Sequence, residues 1–374
     1  MSKTLIYLNL LSLLLVLSGC SAPSANSGAS EAAPISAKPA AVTSSKPKAA
    51  STTPAKQSGY MARPQVQEYA ASLASSRNVP IEQVQELIGQ AKQLTIAIRL
   101  MTPPDPSQPR PPKNWRTYRA KFVEPIRIKA GKAFMAEHSN MLELAQKRYG
   151  VPSNIIAAII GVETLYGQHM GNYRVLDAIT TLSFDYPDPN RPDRIEMFQA
   201  QLADLIELHY QGRINAISQL GSYAGAMGIP QFMPTSVKQF AVAANGSAKR
   251  VDLDTNGDDA ILSVGNFLKQ HGWIGGLPVF APVQLPTKAA SLVEGGLVPT
   301  LDWPALQKAG AVLDKGATAG IWSHYPLGVI NLPLPEQDTV QYRTATPNFF
   351  AITQYNRSYF YASAVADLAQ ALSQ

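Results

Sequence analysis

The chain is nearly free of cysteine, since Cys20 is the only one among its 374 residues. No disulfide can therefore form within the chain. The part that follows residue 20 has no cysteine to serve as a metal ligand or as a nucleophile. Fold stability and catalysis must come from other residue types.

The chain also lacks an apolar run that could cross a bilayer as a mature helix. The run over residues 10–17 follows the single charge of Lys3 and is shorter than the ~20 residues that a spanning helix needs. This layout predicts a secretory signal over residues 1–19. The signal ends in Leu-Ser-Gly before Cys20, which resembles the lipobox of bacterial lipoproteins and implies cleavage before Cys20 and lipidation of its thiol and amine. An ordinary signal peptide followed by a chance cysteine is the alternative.

The residues after the predicted cleavage point indicate where the protein works. Ser21 stands where lipoproteins retained in the inner membrane carry an aspartate. The resemblance therefore implies an outer-membrane lipoprotein that faces the periplasm. Residues 20–58 are mostly Ala, Ser, Pro, Thr and Lys, and such a composition cannot bury enough surface to offset its ordering entropy. We expect a disordered tether with a reach on the order of 35 Å.

Neither sign of charge dominates the chain. It has 32 basic and 26 acidic residues, a net charge of +6, and removal of residues 1–19 takes away only Lys3 and leaves +5. We find no nucleic-acid motif and no basic strip interleaved with aromatic residues, so we expect no nucleic-acid partner. The small net positive charge either attracts an acidic polymer or serves solubility alone.

The remaining residues, 59–374, have mostly helical periodicity and no internal repeats. The pattern predicts helices over 64–74, 81–100 and 115–149, with a proline-rich loop at 102–113. Residues 276–350 are richer in proline and glycine and hold short β-prone runs at 281–285 and 328–332, which predicts a small, partly β lobe. A helix is expected again over 358–372. The fold class is therefore mainly α, or α+β.

Glu163 is the residue in this chain that most strongly suggests chemistry. It follows an apolar run that begins at Ile155, a pattern typical of a helix packed inside the protein. A carboxylate there is costly to desolvate, so it must find a partner or keep its proton. A carboxylic acid protonated near neutral pH is what a glycosidase needs to protonate a leaving oxygen. The alternative is a glutamate at a helix end, paired with an arginine.

Three further segments combine aromatic, amide and small residues, at 181–187, 221–234 and 355–361. Sugar rings have apolar faces and polar edges, so aromatic rings beside amides and hydroxyls are suited to bind them. In the second segment, Ser222 and Gln231 are the polar side chains that could bond to hydroxyl or acetamido groups. Core packing with turn glycines is the alternative interpretation of each segment.

These segments together resemble one family. Glu163 in Gly-Val-Glu-Thr, the sequence Ala-Gly-Ala-Met-Gly-x-x-Gln-Phe-Met-Pro over 224–234, and residues 266–273 and 355–358 are similar to the membrane-bound lytic murein transglycosylases. The similarity runs from about residue 64 to the C-terminus. It implies a lysozyme-like core over about 118–275, with an additional helical region before it. It also implies cleavage of the β-1,4 bond between N-acetylmuramic acid and N-acetylglucosamine in peptidoglycan, with formation of a 1,6-anhydro ring.

The resemblance implies that Glu163 is the single acid and base and that no cofactor is required. It assigns Arg194 to contacts with the stem peptide, although residues 188–193 depart from the family pattern there. Partners beyond the glycan strands, such as other cell-wall enzymes, stay open. The substrate-binding residues that it implies are Tyr118, Arg194, Ser222, Gln231, Phe232, Tyr355, Asn356 and Tyr361.

Two other functions remain open at this point. A muramidase that hydrolyses the same bond would need a second carboxylate at a defined separation, for which Asp177 and Asp185 are the candidates. A non-catalytic murein-binding lipoprotein would have no need of a buried proton donor.

One segment resembles a calcium loop. Asp252, Asp254, Asn256 and Asp258 follow the Asp-x-Asp-x-Asn-Gly opening of an EF-hand, but Ser263 stands where the bidentate glutamate would be. The segment is either a structural Ca²⁺ site or an Asx-rich turn before a helix. In neither case would it act in catalysis.

Overall fold

The computed structural model describes residues 59–105, 107–109, 111–246 and 250–374. The predicted signal over 1–19, the lipidated Cys20 and the tether over 20–58 lie outside the described residues. Within the described ranges, no helix is both long and apolar enough to cross a membrane.

The described part of the chain is mainly α-helical. Its helices are α1 (Pro64–Arg77), α2 (Ile81–Gly89), α3 (Thr95–Met101), α4 (Trp115–Arg119), α5 (Pro125–Glu137), α6 (Ser139–Tyr149), α7 (Ser153–Thr164), α8 (Val175–Phe184), α9 (Pro192–Tyr210), α10 (Pro234–Phe240), α11 (Gly257–Gln270), α12 (Trp303–Lys308), α13 (Pro347–Thr353) and α14 (Tyr359–Leu372). The strands are β1 (Tyr173–Arg174), β2 (Leu220–Gly221), β3 (Val283–Gln284), β4 (Val312–Leu313), β5 (Gly328–Leu334) and β6 (Thr339–Ala345), and they form the antiparallel pairs β1–β2, β3–β4 and β5–β6.

The helix expected over 81–100 is two helices, α2 and α3, because another helix captures the backbone between them. The N–H of Lys92 donates to Asp177 Oδ1 at 2.7 Å, and the N–H of Leu94 donates to Thr181 Oγ1 at 2.9 Å. Both acceptors are on α8. Amides bonded to a neighbouring helix cannot continue the i to i−4 ladder of their own.

The helical stretch expected over 115–149 is divided into α4, α5 and α6. Glu124 caps α5, since its carboxylate accepts from the N–H groups of Ile126 and Arg127. Pro125 then occupies the first helical position, where its missing N–H costs nothing. His138 separates α5 from α6. The helical periodicity of the sequence is continuous over 115–149, but these residues end one helix and begin the next.

Helix α7 lies at the centre of the main core. Every residue from Ile155 to Val162 is buried, and α7 packs against α5, α6, α11 and α14. The expectation of an internal helix is confirmed. Burial of each such isoleucine stabilises the fold by about 1.5–3 kcal/mol, so the helix that carries Glu163 is held on all sides.

A second apolar cluster lies within the predicted small lobe. It is built around Trp303 and Trp322, whose rings meet edge to face at 5.2 Å. The β-prone run at 328–332 is part of β5, which pairs along its whole length with β6, a strand that the sequence pattern did not reveal. The run at 281–285 contributes only the two-residue strand β3. The predicted division into a core over 118–275, a lobe over 276–350 and a C-terminal helix stays a prediction.

Candidate active site

Glu163 lies in the last turn of α7 and makes one side-chain hydrogen bond. The Tyr361 hydroxyl donates to Glu163 Oε1 at 2.6 Å, and no basic side chain of the described residues pairs with the carboxylate. Burial raises the pKa of Glu163 from its usual 4.5 to about 7, even though the bond from Tyr361 lowers it. The paired-glutamate alternative is therefore not what the structure has. The group is a weak acid that is half protonated near neutral pH.

Three tyrosines surround the carboxylate. Burial and the charge of Glu163 both raise the phenol pKa values of Tyr118, Tyr355 and Tyr361, so all three stay neutral donors. The rings of Tyr355 and Tyr361 stack with an interplanar angle of 14° and centroids 6.3 Å apart. The Tyr355 hydroxyl donates to the Pro230 carbonyl at 2.6 Å, which connects the tyrosines to the glycine-rich segment.

The C-terminal end of α7 is fixed by contacts that the sequence did not predict. The Thr164 hydroxyl donates to the Ile229 carbonyl at 2.8 Å and accepts from the Gly167 N–H at 2.9 Å. The buried Arg127 donates from Nε to the Gly161 carbonyl at 2.9 Å, which satisfies an acceptor near the helix end. The acid beside Thr164 is thereby held against the glycine-rich segment.

The turn after α7 is strained and is locked by a tyrosine. Leu165 and Tyr166 have φ values of 51° and 58°, in the left-handed region that non-glycine residues rarely adopt. The Tyr166 ring lies in a slot between Gly131 of α5 and Gly161 of α7, where a Cβ on either glycine would overlap its hydroxyl. The slot explains why both helices carry a glycine in their interior.

The glycine-rich segment is held mainly by its own polar groups. Ser222 Oγ accepts from the N–H groups of Ala224 and Ala226, at 3.3 and 3.0 Å. Gln231 is left-handed, with φ of 52°, and its Nε2 donates to the carbonyls of Met170 and Gly228. The bonds of Ser222 and Gln231 in this structure are therefore bonds that hold the loop. Within the described ranges, no hydrogen bond uses the Ser222 hydroxyl proton or Gln231 Oε1, so both are available to a ligand.

The other predicted site residues differ in their placement. Tyr118 packs against Trp115, Phe122 and Phe360. Phe232 is only 2 % exposed and contacts the rings of Phe267 and Tyr355, so it supports Tyr355 from inside.

Asn356 is buried, and its backbone carbonyl accepts from the Ser358 N–H at 2.6 Å. Arg194 belongs to a separate part of the core. It is 6 % exposed, its Nε has no hydrogen-bond partner, and Nη1 reaches only the Met197 sulfur at 3.9 Å. Burial lowers the guanidinium pKa of Arg194. The structure thus brings Tyr118, Tyr355 and Tyr361 together at Glu163, while Arg194 stands apart on α9.

The two carboxylates considered for a hydrolase hold other parts of the fold together. Asp177 bonds to Arg174 Nε at 3.0 Å and to the Lys92 N–H. Asp185 bonds to Arg63, Tyr60 and Gln93, and although burial opposes it, these bonds hold the Asp185 pKa below its usual value. Neither has a bond to Glu163, so a second catalytic carboxylate gains no support.

The predicted calcium loop is organised by hydrogen bonds within the protein. Asp252 accepts from the N–H groups of Asp254 and Thr255, and Asp254 accepts from Gln219 at 2.9 Å. Asn256 caps α11, and Asp258 lies 2.8 Å from His138 Nδ1.

No group of three or more His, Cys, Asp or Glu side chains in the described ranges is arranged to hold a metal. As arranged, the residues fit the Asx-rich turn, and Ca²⁺ would need the Asn256 side chain to leave the N-terminus of α11. The seventh position of an EF-hand loop ligates through its backbone carbonyl, so the Asp258 side chain could keep its contact with His138.

The comparisons with known proteins agree with this site. The model of the transglycosylase SLT domain family matches residues 61–370. The chain belongs to this family of lytic transglycosylases. It is 36 % identical over 319 residues to the membrane-bound lytic murein transglycosylase B of Escherichia coli K12, covering 83 % of each chain.

Two solved lytic transglycosylases have the same fold. The soluble lytic transglycosylase SltB1 of Pseudomonas aeruginosa superposes with a TM-score of 0.73 at 34 % identity, over 83 % of this chain and 98 % of that one. The Escherichia coli lytic transglycosylase Slt35, solved with calcium, gives 0.70 at 34 % identity, over 83 % and 93 %. The mainly α, lysozyme-like fold is confirmed. The chain is a peptidoglycan lytic transglycosylase, which is favoured over a hydrolytic muramidase and over a non-catalytic binding protein.

The raised pKa of Glu163 predicts a pH-dependent stability difference. The folded state favours the protonated form of Glu163. The contribution of this proton to the free energy of unfolding is therefore complete below the pKa that Glu163 has in the unfolded chain, and it is lost as the pH rises through about 7. Glu163→Gln should therefore be more stable than wild type by about 1–3 kcal/mol near pH 8, with a gap that closes toward pH 5. Urea unfolding of both proteins at several pH values measures this difference in the free energy of unfolding. Glu196→Gln, at an exposed glutamate, is the control. A gap that is the same at every pH would contradict the raised pKa.

Proposed function

We propose that Glu163 carries out both proton transfers of the lytic transglycosylase reaction. In its protonated form it donates to the glycosidic oxygen, and the bond from that oxygen to C1 of the N-acetylmuramic acid breaks. As a carboxylate it then takes the proton of the C6 hydroxyl, whose oxygen attacks C1 and closes the 1,6-anhydro ring. The acid recovers its proton and no water is consumed. The observation that carries the proposal is one partly buried, strongly desolvated carboxyl whose pKa of about 7 leaves both forms populated near neutrality.

Tyr361 supports both protonation states. Its hydroxyl is a donor at 2.6 Å from Oε1, and a neutral phenol can donate to the carbonyl oxygen of a carboxylic acid and, more strongly, to a carboxylate. A lysine or arginine in its place would lower the pKa of Glu163 and deprive it of its proton at neutral pH. A neutral donor therefore orients the acid without removing its acidity.

We assign the sugar contacts to the tyrosines around Glu163, to the glycine-rich segment that Thr164 contacts, and to Asn356 beside Tyr355 in the chain. Tyr118 and Tyr355 offer ring surface, while Ser222, Gln231 and Asn356 offer polar atoms. Phe232 and Tyr361 are too deeply buried to lie flat against a sugar and act as support and as the partner of the acid. The assignment of Arg194 to the stem peptide rests on its unpartnered Nε and on its chain position.

The products decide between transglycosylation and hydrolysis. Anhydro ends are lighter by one water than hydrolytic ends, so mass spectrometry of digested sacculi separates the two reactions. Glu163→Gln keeps the shape of the side chain but removes its transferable proton, and turnover should fall by about 10²–10⁴ or more.

Asp177→Asn and Asp185→Asn are the matched controls and should retain most of the wild-type turnover. A well-folded Glu163→Gln variant that releases anhydro-muropeptides within a few-fold of wild type would refute the mechanism.

We also propose that the enzyme is an outer-membrane lipoprotein that faces the periplasm. The sequence before Cys20 supports this, as does the similarity to a relative named as membrane-bound. The tether over 20–58 would let residues 59–374 reach glycan strands that lie off the membrane. A structural Ca²⁺ at Asp252, Asp254, Asn256 and Asp258 stays a prediction, suggested by the calcium complex of Slt35.

The anchor is tested by replacing its attachment point. Cys20→Ala removes the thiol that would carry lipid, so the full chain should keep an uncleaved signal and gain no acyl mass. Mass spectrometry of the intact protein detects both the retained signal and the missing acyl chains. Density-gradient separation of the membranes shows whether the wild type fractionates with the outer or the inner membrane. Ser21→Ala is the control and should leave lipidation unchanged. Identical N-terminal masses for wild type and Cys20→Ala would remove the lipoprotein assignment.

A further inference from the structure

The excess of basic over acidic residues in this chain is matched by that of one short segment. Residues 113–132 contain seven basic residues and one acidic residue, a net charge of +6. The whole chain has 32 basic and 26 acidic residues, so its other 354 residues carry 25 of each and sum to zero. The net charge of the chain is therefore a property of α4, the start of α5 and the turns around them.

Most of these cations are exposed and unpaired. Two of the seven are committed to the fold, since Arg119 pairs with Asp367 and Arg127 bonds to the Gly161 carbonyl. The other five are exposed, and none of them makes an ion pair with a described residue. We call these five the basic face: Lys113, Arg116, Lys121, Lys129 and Lys132.

The basic face lies on elements that also contribute to the active site. Tyr118, one of the three tyrosines around Glu163, lies between Arg116 and Lys121 in the chain. The turn after α4 is fixed, because Arg127 donates to the Lys121 carbonyl and lies 5.4 Å from the Phe122 ring. Helix α5, which carries Lys129 and Lys132 three residues apart on its exposed side, packs against α7.

We propose that the basic face is a contact surface for the stem-peptide carboxylates of peptidoglycan, beside the point where Glu163 cuts the glycan. This rests on the proposed function. The glycan backbone is largely uncharged, while the peptides attached to it end in carboxylates, so unpaired cations on the elements that flank Tyr118 would attract the peptide-bearing strand. Clefts edged by one sign of charge raise the local concentration of an oppositely charged substrate.

A membrane is the less suitable partner for this face. Ile126, at 71 % exposure, is the only large apolar side chain in residues 113–132 that is strongly exposed, so the face offers little to insert into lipid. Contact with a bilayer at Tyr118 would also cover the border of the site through which a polymer must enter.

The proposal separates binding from chemistry. None of the five cations makes a hydrogen bond or ion pair with Glu163, whose side-chain partner among the described residues is Tyr361, so their removal should raise the KM for sacculi and leave kcat unchanged. The effect should weaken with salt, because the screening length falls from ~30 Å at 0.01 M to ~8 Å at 0.15 M ionic strength.

The test compares two full-length variants that lose the same four charges. One carries Arg116→Gln, Lys121→Gln, Lys129→Gln and Lys132→Gln. The matched control carries Lys269→Gln, Lys288→Gln, Lys308→Gln and Lys315→Gln, at exposed lysines on other elements. At low ionic strength the first should raise the KM for sacculi about tenfold. The control should stay within about twofold, and the difference between them should shrink at 0.15 M.

Equal KM increases in both variants, or no increase in the first, would overturn the proposal. A second experiment anchors wild type and the first variant to neutral vesicles and to vesicles with anionic lipid, and it compares their activities. If wild type loses activity on anionic vesicles and the variant does not, the basic face contacts the membrane instead. If the ratio of wild-type to variant activity is the same on both kinds of vesicle, the result supports contact with peptidoglycan. Failure of the proposed function is separate, since wild type would then release no anhydro product at any salt concentration.

Discussion

The hydrogen bond from Tyr361 to Glu163 is the interaction on which the site depends. A buried carboxyl with a cationic partner would be ionised, and one with no partner would be a costly unsatisfied group. A neutral phenol at 2.6 Å avoids both outcomes. It fixes the acid in place while burial keeps the pKa near 7. One carboxyl can then serve as acid and as base, which explains why no second carboxylate is built beside it.

The surrounding fold keeps this pair in register. Asp367, on the same helix as Tyr361, bonds to Arg119 Nε and to Arg343 Nη1, both at 2.6 Å. It therefore joins α14 to β6 and to α4, the short helix that carries Tyr118. A five-residue helix is not stable alone, so α4 depends on such contacts. The Arg119 side chain is 42 % exposed, so its pair with Asp367 contributes less than the ~3–5 kcal/mol typical of a fully buried pair.

The sequence was informative where function and local pattern coincide. The apolar run before Glu163 predicted an internal helix, and its motif with the 224–234 segment predicted the family. It was uninformative where distant residues decide the local structure. The break between α2 and α3 depends on acceptors from α8, and the end of α7 depends on Arg127, 34 positions earlier. The exposure of a site residue was also not predictable, because an aromatic such as Phe232 can equally face a groove or support one.

The pH dependence of kcat/KM, compared between wild type and Tyr361→Phe, tests the central claim most directly. Reaction begins with protonated Glu163, so wild-type activity should fall as the pH rises through about 7. The bond from Tyr361 lowers that pKa, and the neutral phenols of Tyr118 and Tyr355 remain in the variant. Loss of the Tyr361 hydroxyl should therefore move the alkaline limb to higher pH. A limb that stays in place, or moves to lower pH, would contradict the account.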